Sequence, residues 1–116
     1  MKLDALERTL LFDYYGEMLT EKQRIFFDLH HNQDLSLSEI AQEAGVSRQG
    51  IHDAVLRAEQ SLREMEQKIG AVARDRQCRQ AADQIRAAAT QLLICEDDQV
   101  RLLARQILAA ANTIKE

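Results

Sequence analysis

The sequence predicts an all-α protein. Three observations carry that reading: the 116 residues include no proline and only four glycines, aromatic residues make up 4% of the chain, and Ala, Leu, Glu, Gln and Arg are abundant. Those five residue types lose the least freedom on entering a helix. Clusters of Val, Thr and aromatic residues bounded by turn residues, the mark of strands, are missing. The length suits one domain, or one domain with a helical appendage, and a core of modest size.

A first helix is expected from about Asp4 to Tyr15. Leu3, Leu6, Leu10 and Tyr14 recur at helical spacing, Leu11 widens the stripe, and Gly16 is placed to end it. The adjacent Tyr14 and Tyr15 should divide between surface and core. Thr20 with Gln23 has the capping-box spacing, in which each side chain satisfies the other residue's backbone N–H. A second helix therefore starts at Thr20, buries Ile25, Phe26 and Leu29, and fades near His31 and Asn32. Asn32-Gln33-Asp34 reads as a loop. Ser36 with Glu39 repeats the capping box ahead of a short third helix, carrying Leu37, Ile40, Ala41 and Ala44 and closed by Gly45. Ser47 caps a fourth helix. Its stripe of Ile51, Val55, Ala58, Leu62, Met65 and Ile69 runs for more than five turns with heptad spacing. The second half of so long a helix must be covered, by the first helix or by a partner subunit.

Gly70 marks a boundary between a segment 1–70 and a segment 71–116. Beyond it, roughly Ala71–Ile94 and Asp98–Ile114 read as two helices forming a hairpin. Their stripes are Cys78, Ala82, Ile85, Ala89 and Leu92, then Val100, Leu103, Ile107, Ala110 and Ile114. Glu96-Asp97-Asp98 is the turn, with Asp97 or Asp98 capping the last helix. The heptad stripe and the Ala-rich hairpin suggest a homodimer; folding the hairpin back over those faces would serve a monomer equally well.

The most informative stretch runs from Leu35 to Leu62. Two short helices meeting at a steep angle need a tight turn containing glycine, a small residue at the crossing and apolar residues in the wedge. Ala44-Gly45-Val46-Ser47 supplies the turn, Ala41 the small residue, and Ile40, Val46 and Ile51 the wedge. These residues describe a helix-turn-helix. The residues left facing outward at the start of its second helix are Ser47, Arg48, Gln49, His52 and Asp53. Arg48 has the donor fork for guanine and Gln49 the amide for adenine in a major groove. Ser47 and the helix N-terminus suit a phosphate, and Arg57, with Lys22 or Arg24, could reach the backbone.

The charge balance pulls the other way. Residues 1–70 hold eight Lys or Arg against thirteen Asp or Glu, a net of −5, and residues 71–116 a net of +1. Phosphate neutralisation supplies most non-specific DNA affinity, so nucleic acid would have to be held by a local patch. Asp53 adds repulsion on the reading face. A scaffold that binds protein, or RNA at one small patch, stays open beside the DNA-binding reading.

Other chemistry finds little support. His30-His31 reads as a solvated helix end rather than a metal site, and Asp97-Asp98 as a cap rather than a catalytic pair. Nucleophile–base pairs, phosphate loops and cofactor fingerprints are not recognisable, so neither an enzyme nor a bound cofactor is expected. Cys78 and Cys95 read as free thiols on apolar helix faces. With no secretion signal and no apolar run of membrane-spanning length, a cytoplasmic location is expected.

The segment LLFDYYGEMLTEKQRIFFDLHHNQDLSLSEIAQEAGVSRQGIHDAVLRAEQSLREMEQKIG resembles the YlxM family of small bacterial proteins. The marks are Leu11-Phe12-Asp13-Tyr14-Tyr15, Leu19-Thr20 with Gln23, Ser36 to Ala41, and Val46-Ser47-Arg48-Gln49. The likeness covers about residues 6 to 70; residues 71–116 match poorly. The later marks are shared more widely with the DNA-binding region of sigma factors. The resemblance implies a sigma-like helix-turn-helix bundle followed by further helices, and a regulatory rather than catalytic role. It also implies a link to the signal recognition particle, through its RNA or its GTPase, because the family's gene commonly neighbours that of the GTPase. The reading role carries over to Arg48, Gln49 and their neighbours alone.

Overall fold

The computed structural model describes residues 3–114; the extreme ends of the two predicted segments, 1–2 and 115–116, lie outside it. All regular structure among the described residues is helical: α1 (Ala5–Tyr15), a 3-10 turn (Gly16–Met18), α2 (Glu21–Phe27), a π turn (Asp28–Asn32), α3 (Leu37–Ala44), α4 (Arg48–Ile69), α5 (Ala71–Leu92) and α6 (Asp98–Ala111). The protein is all-α, a helix-turn-helix bundle followed by a helical hairpin. It divides into two compact units, one ending at Val72 and one beginning at Ala73.

Local chemistry sets the boundaries in the first unit. Thr20 and Gln23 close a reciprocal capping box, and so do Ser36 and Glu39. Gly45 stops α3 in the left-handed region at φ 72°, where a side chain would be strained. Gly70 ends α4 in the same way at φ 68°. Gly16 is the C-cap of α1, as expected, but not in the left-handed region: its φ is −57°, and the chain passes through it into the 3-10 turn. A Cβ there would stand 3.2 Å from the Phe12 ring, so close approach is what a side chain would disturb.

The first unit is built around α4, against which α1, α2 and α3 pack. Ile51, Val55, Ala58 and Leu62 are buried along it, as the stripe predicts, and Met65 packs against the same core. Ile69 is exposed. The other elements present faces that differ from those expected. In α1 the buried residues are Leu11 and Tyr15, four apart, while Leu6 is 66% exposed because only the later part of the helix meets the core. In α2 the centre is Phe27, which is fully buried, whereas Ile25 is exposed and Phe26 only half-buried. Phe27 stacks on Phe12 with ring centroids 5.3 Å apart. In the turn, Ile40 and Ile51 fill the wedge and Val46 is exposed, since both Gly45 and Val46 donate backbone N–H groups to Ala41 O and the valine side chain is left outside.

The start of α5 is capped from a distance. No Ser, Thr, Asp or Asn precedes Ala71. The Ala71 N–H donates to the Tyr15 hydroxyl (3.1 Å), that hydroxyl donates to Glu66 Oε1 (2.6 Å), and the Val72 N–H donates to the same oxygen (3.1 Å). Burial and the bond to Glu66 raise the pKa of Tyr15 above its usual 10.0.

In the second unit the buried residues are alanines: Ala82 and Ala89 of α5, Ala104 and Ala111 of α6, seven apart on each helix. Asp97 caps α6 through the N–H groups of Gln99 and Val100. Arg86 donates to Ala111 O, joining the two helices. The larger members of the expected stripes, Ile85, Leu92, Leu103, Ile107 and Ile114, are exposed, and Ala111 replaces the expected Ala110 in the seam. Cys78 and Cys95 are free thiols, as expected, but both are exposed rather than packed on an apolar face.

Candidate nucleic-acid interface

The turn at Gly45 sets α3 against α4 and leaves the first turn of α4 at the surface. Ser47 is the N-cap: its side chain accepts from the Gly50 N–H at 3.0 Å, and its carbonyl from the Ile51 N–H at 3.2 Å. Arg48 and Gln49 follow it, both exposed. The guanidinium of Arg48 projects from a helix start whose remaining N–H groups carry partial positive charge. Arg57 is exposed two and a half turns along the same helix, and Lys22 and Arg24 are exposed on α2.

Two of the predicted reading residues are less free than their positions suggest. The Gln49 amide donates to Asp53 Oδ1 at 3.0 Å, an i to i+4 pair that engages the amide an adenine would need. His52 is half-buried, with its Nδ1 shielded from solvent, without a hydrogen-bond partner and 3.8 Å from Asp53 Oδ1. The structure thus leaves Arg48 and Arg57 outward and turns part of His52 inward.

His52 turns toward a cleft of about 190 Å³. All three histidines of the chain line it, with Arg8 and Glu59. His30 and His31 arrive on the π turn, a helix irregularity often found at functional sites. They are not the solvated helix end expected from the sequence. The His30 Nδ1–H donates to Leu35 O at 2.9 Å; a carbonyl can only accept, which assigns the proton to Nδ1. The His31 ring packs on Phe27, with centroids 4.6 Å apart. Burial first, then the neighbouring Arg8 and His30, lowers its pKa from 6.5 to about 4, so His31 is neutral at physiological pH. Among the described residues no three histidine, cysteine or acidic side chains are arranged to hold a metal ion.

Residues 3–101 match the model of the family UPF0122, described as "Putative helix-turn-helix protein, YlxM / p13 like". The chain belongs to this family. The YlxM-like match runs past residue 70, through α5 and into α6, and so corrects the sequence-based expectation that the likeness ends near Gly70. A UPF0122 protein of Desulforamulus reducens is 51% identical over 65 residues, which span 56% of each chain. One from Thermoanaerobacter sp. is 43% identical over 83 residues, 72% of this chain and 71% of the relative. One from Listeria innocua is 40% identical over 98 residues, 84% of this chain and 88% of the relative. The aligned part therefore spans little more than half of the first of these YlxM-like relatives. No described helix of this YlxM-like chain is long and apolar enough to cross a membrane.

Of the residues lining the cleft, sequence reasoning did not single out Arg8 or Glu59. Spacing is a signal for one of them: His52 and Glu59 are seven apart, which places them on one face of α4.

Proposed function

We propose that this protein is a non-enzymatic, cytoplasmic regulator that contacts nucleic acid through the start of α4, with Ser47, Arg48, Gln49, His52 and Arg57 at the interface. The observation that supports this most directly is the exposed Arg48 on the first turn of a helix held outward by the left-handed Gly45. A guanidinium there has the reach and fork geometry for a guanine edge or a phosphate. The −5 balance of residues 1–70 makes the contact local. The family resemblance directs it to the signal recognition particle, whose RNA is the target to try beside duplex DNA. Binding should fall steeply with added salt, and Arg48→Ala should weaken it about tenfold or more in a gel-shift titration. Absence of any shift at low salt with either nucleic acid refutes the proposal.

The Gln49–Asp53 bond favours a second reading, because it occupies a reading amide and sets a carboxylate on the same face. In that reading the protein is an adaptor that binds the GTPase of the signal recognition particle without touching nucleic acid. Association with the GTPase should then survive nuclease treatment. Either reading is compatible with a homodimer formed over the exposed aliphatic residues of α5 and α6, which sedimentation over a range of concentrations tests.

A further inference from the structure

We propose that Asp53 is a specificity-determining residue of the α4 face: paired with Gln49, it reads a cytosine in the major groove of duplex DNA. The inference rests on the nucleic-acid reading above and adds to it a residue and a base.

The position of Asp53 is the first support. Along α4, Ile51, Val55, Ala58 and Leu62 are buried, while Gln49, Asp53, Arg57 and Gln60 are exposed. At about 100° per residue the two sets fall on opposite sides of the helix, with Asp53 near the middle of the outward one. A recognition helix turns that side to the base edges. Asp53 therefore meets the groove wherever Gln49 does.

The hydrogen bond between them then decides what the pair can recognise. Gln49 Nε2 donates to Asp53 Oδ1 at 3.0 Å. A carboxylate only accepts, so the amide nitrogen must face it and Gln49 Oε1 is turned away. His52 Nδ1 lies 3.8 Å from the same Oδ1. The bond leaves Asp53 Oδ2 out, and the Asp53 side chain is 53% exposed, open to a ligand. The pair thus offers acceptors, Gln49 Oε1 and Asp53 Oδ2, from successive turns of one face.

Acceptors choose among bases. In the major groove guanine presents N7 and O6 and thymine O4, all acceptors, which would leave the carboxylate opposed and unpaired. Adenine sets its N6 donor beside the N7 acceptor, and the amide donor that N7 needs is held by Asp53. Cytosine offers its N4 donor with no acceptor of its own, the contact that an acidic side chain makes. A residue that repels phosphates in general can in this way favour one base by rejecting the others.

The test is a selection by the full chain from a library of short DNA duplexes of random sequence, followed by titrations with the enriched duplex. The unaltered protein should enrich a cytosine, and replacing that cytosine should weaken binding about fivefold or more. Asp53→Ala removes a negative charge and frees the Gln49 amide. It should therefore tighten binding to unselected duplex and move the preference at that position from cytosine to adenine. Asp53→Asn, of nearly the same shape, should also lose the cytosine preference. Tighter binding of Asp53→Ala with the same base enriched would mean that Asp53 merely repels DNA, and overturns the proposal. So does enrichment of a site without cytosine. Both results leave the α4 reading intact. If no duplex is retained, the proposal falls; a shift of particle RNA then preserves the α4 reading, and the lack of one removes both.

Discussion

The two units of this chain share a helical composition and differ in how they exclude water. The first interlocks large side chains: Phe27 on Phe12, with Tyr15, Ile40, Ile51 and Leu62 closed to solvent around α4. The second buries alanines and leaves Ile85, Leu92, Leu103 and Ile107 40–48% exposed. Burial stabilises roughly in proportion to apolar area, so most of the stability belongs to the first unit. A small shift of α4 would move every outward side chain of that helix, Arg48 among them. The alanine seam, by contrast, allows close approach of backbones and leaves the larger aliphatic side chains of that unit exposed.

The comparison can be broken most decisively at Phe27. Phe27→Ala removes a fully buried ring and should cost ~3–5 kcal/mol in urea unfolding. A loss below about 1 kcal/mol would mean the first unit is not held by its aromatic centre. In the hairpin the opposite change is informative. Ala89, 1% exposed, lies in the alanine seam, and Ala89→Leu should cost ~1–3 kcal/mol by overpacking. If Ala89→Leu instead raises the thermal midpoint, the seam is loosely packed and the contrast between the units weakens.

The third measurement concerns pH. His31 is depressed from 6.5 to about 4 in the folded state. The unfolded chain therefore binds the proton more readily, and stability is lost as pH falls from about 6.5 toward 4. At ~1.4 kcal/mol per pKa unit the shift would be worth more than the solvent screening of a half-exposed ring permits, and the expected loss is ~1–2 kcal/mol. Urea midpoints at pH 7 and pH 4.5 measure it. His31→Phe should flatten that part of the profile; an unchanged slope would assign the pH dependence to other groups.

Much of the fold was legible because it is written in local chemistry. The capping boxes at Thr20–Gln23 and Ser36–Glu39, the Ser47 cap and the glycine turn each involve residues within a few positions of one another, so their types and spacing suffice. The faces of α1 and α2 were less legible. Leu6 and Leu11, or Ile25 and Phe27, are equally apolar, and which one is buried depends on the angle at which the helix meets α4. Of the candidate interface, Arg48 was legible as the outward residue after a cap. The inward turn of His52 and the cleft it helps to line were not, because Arg8, the π-turn histidines and Glu59 come from three separate parts of the chain.

Sequence alone determined the capped starts of α2, α3, α4 and α6, that α3 turns into α4 at Gly45, and that Arg48 follows the cap. Those features depend on backbone angles and hydrogen bonds between near neighbours. Only the tertiary structure decided that Phe27 is the centre of the core, that Tyr15 and Glu66 cap α5 from afar, and that Glu59 is drawn out of water beside three histidines. Each depends on which distant side chains share one space, and helical periodicity carries no record of that.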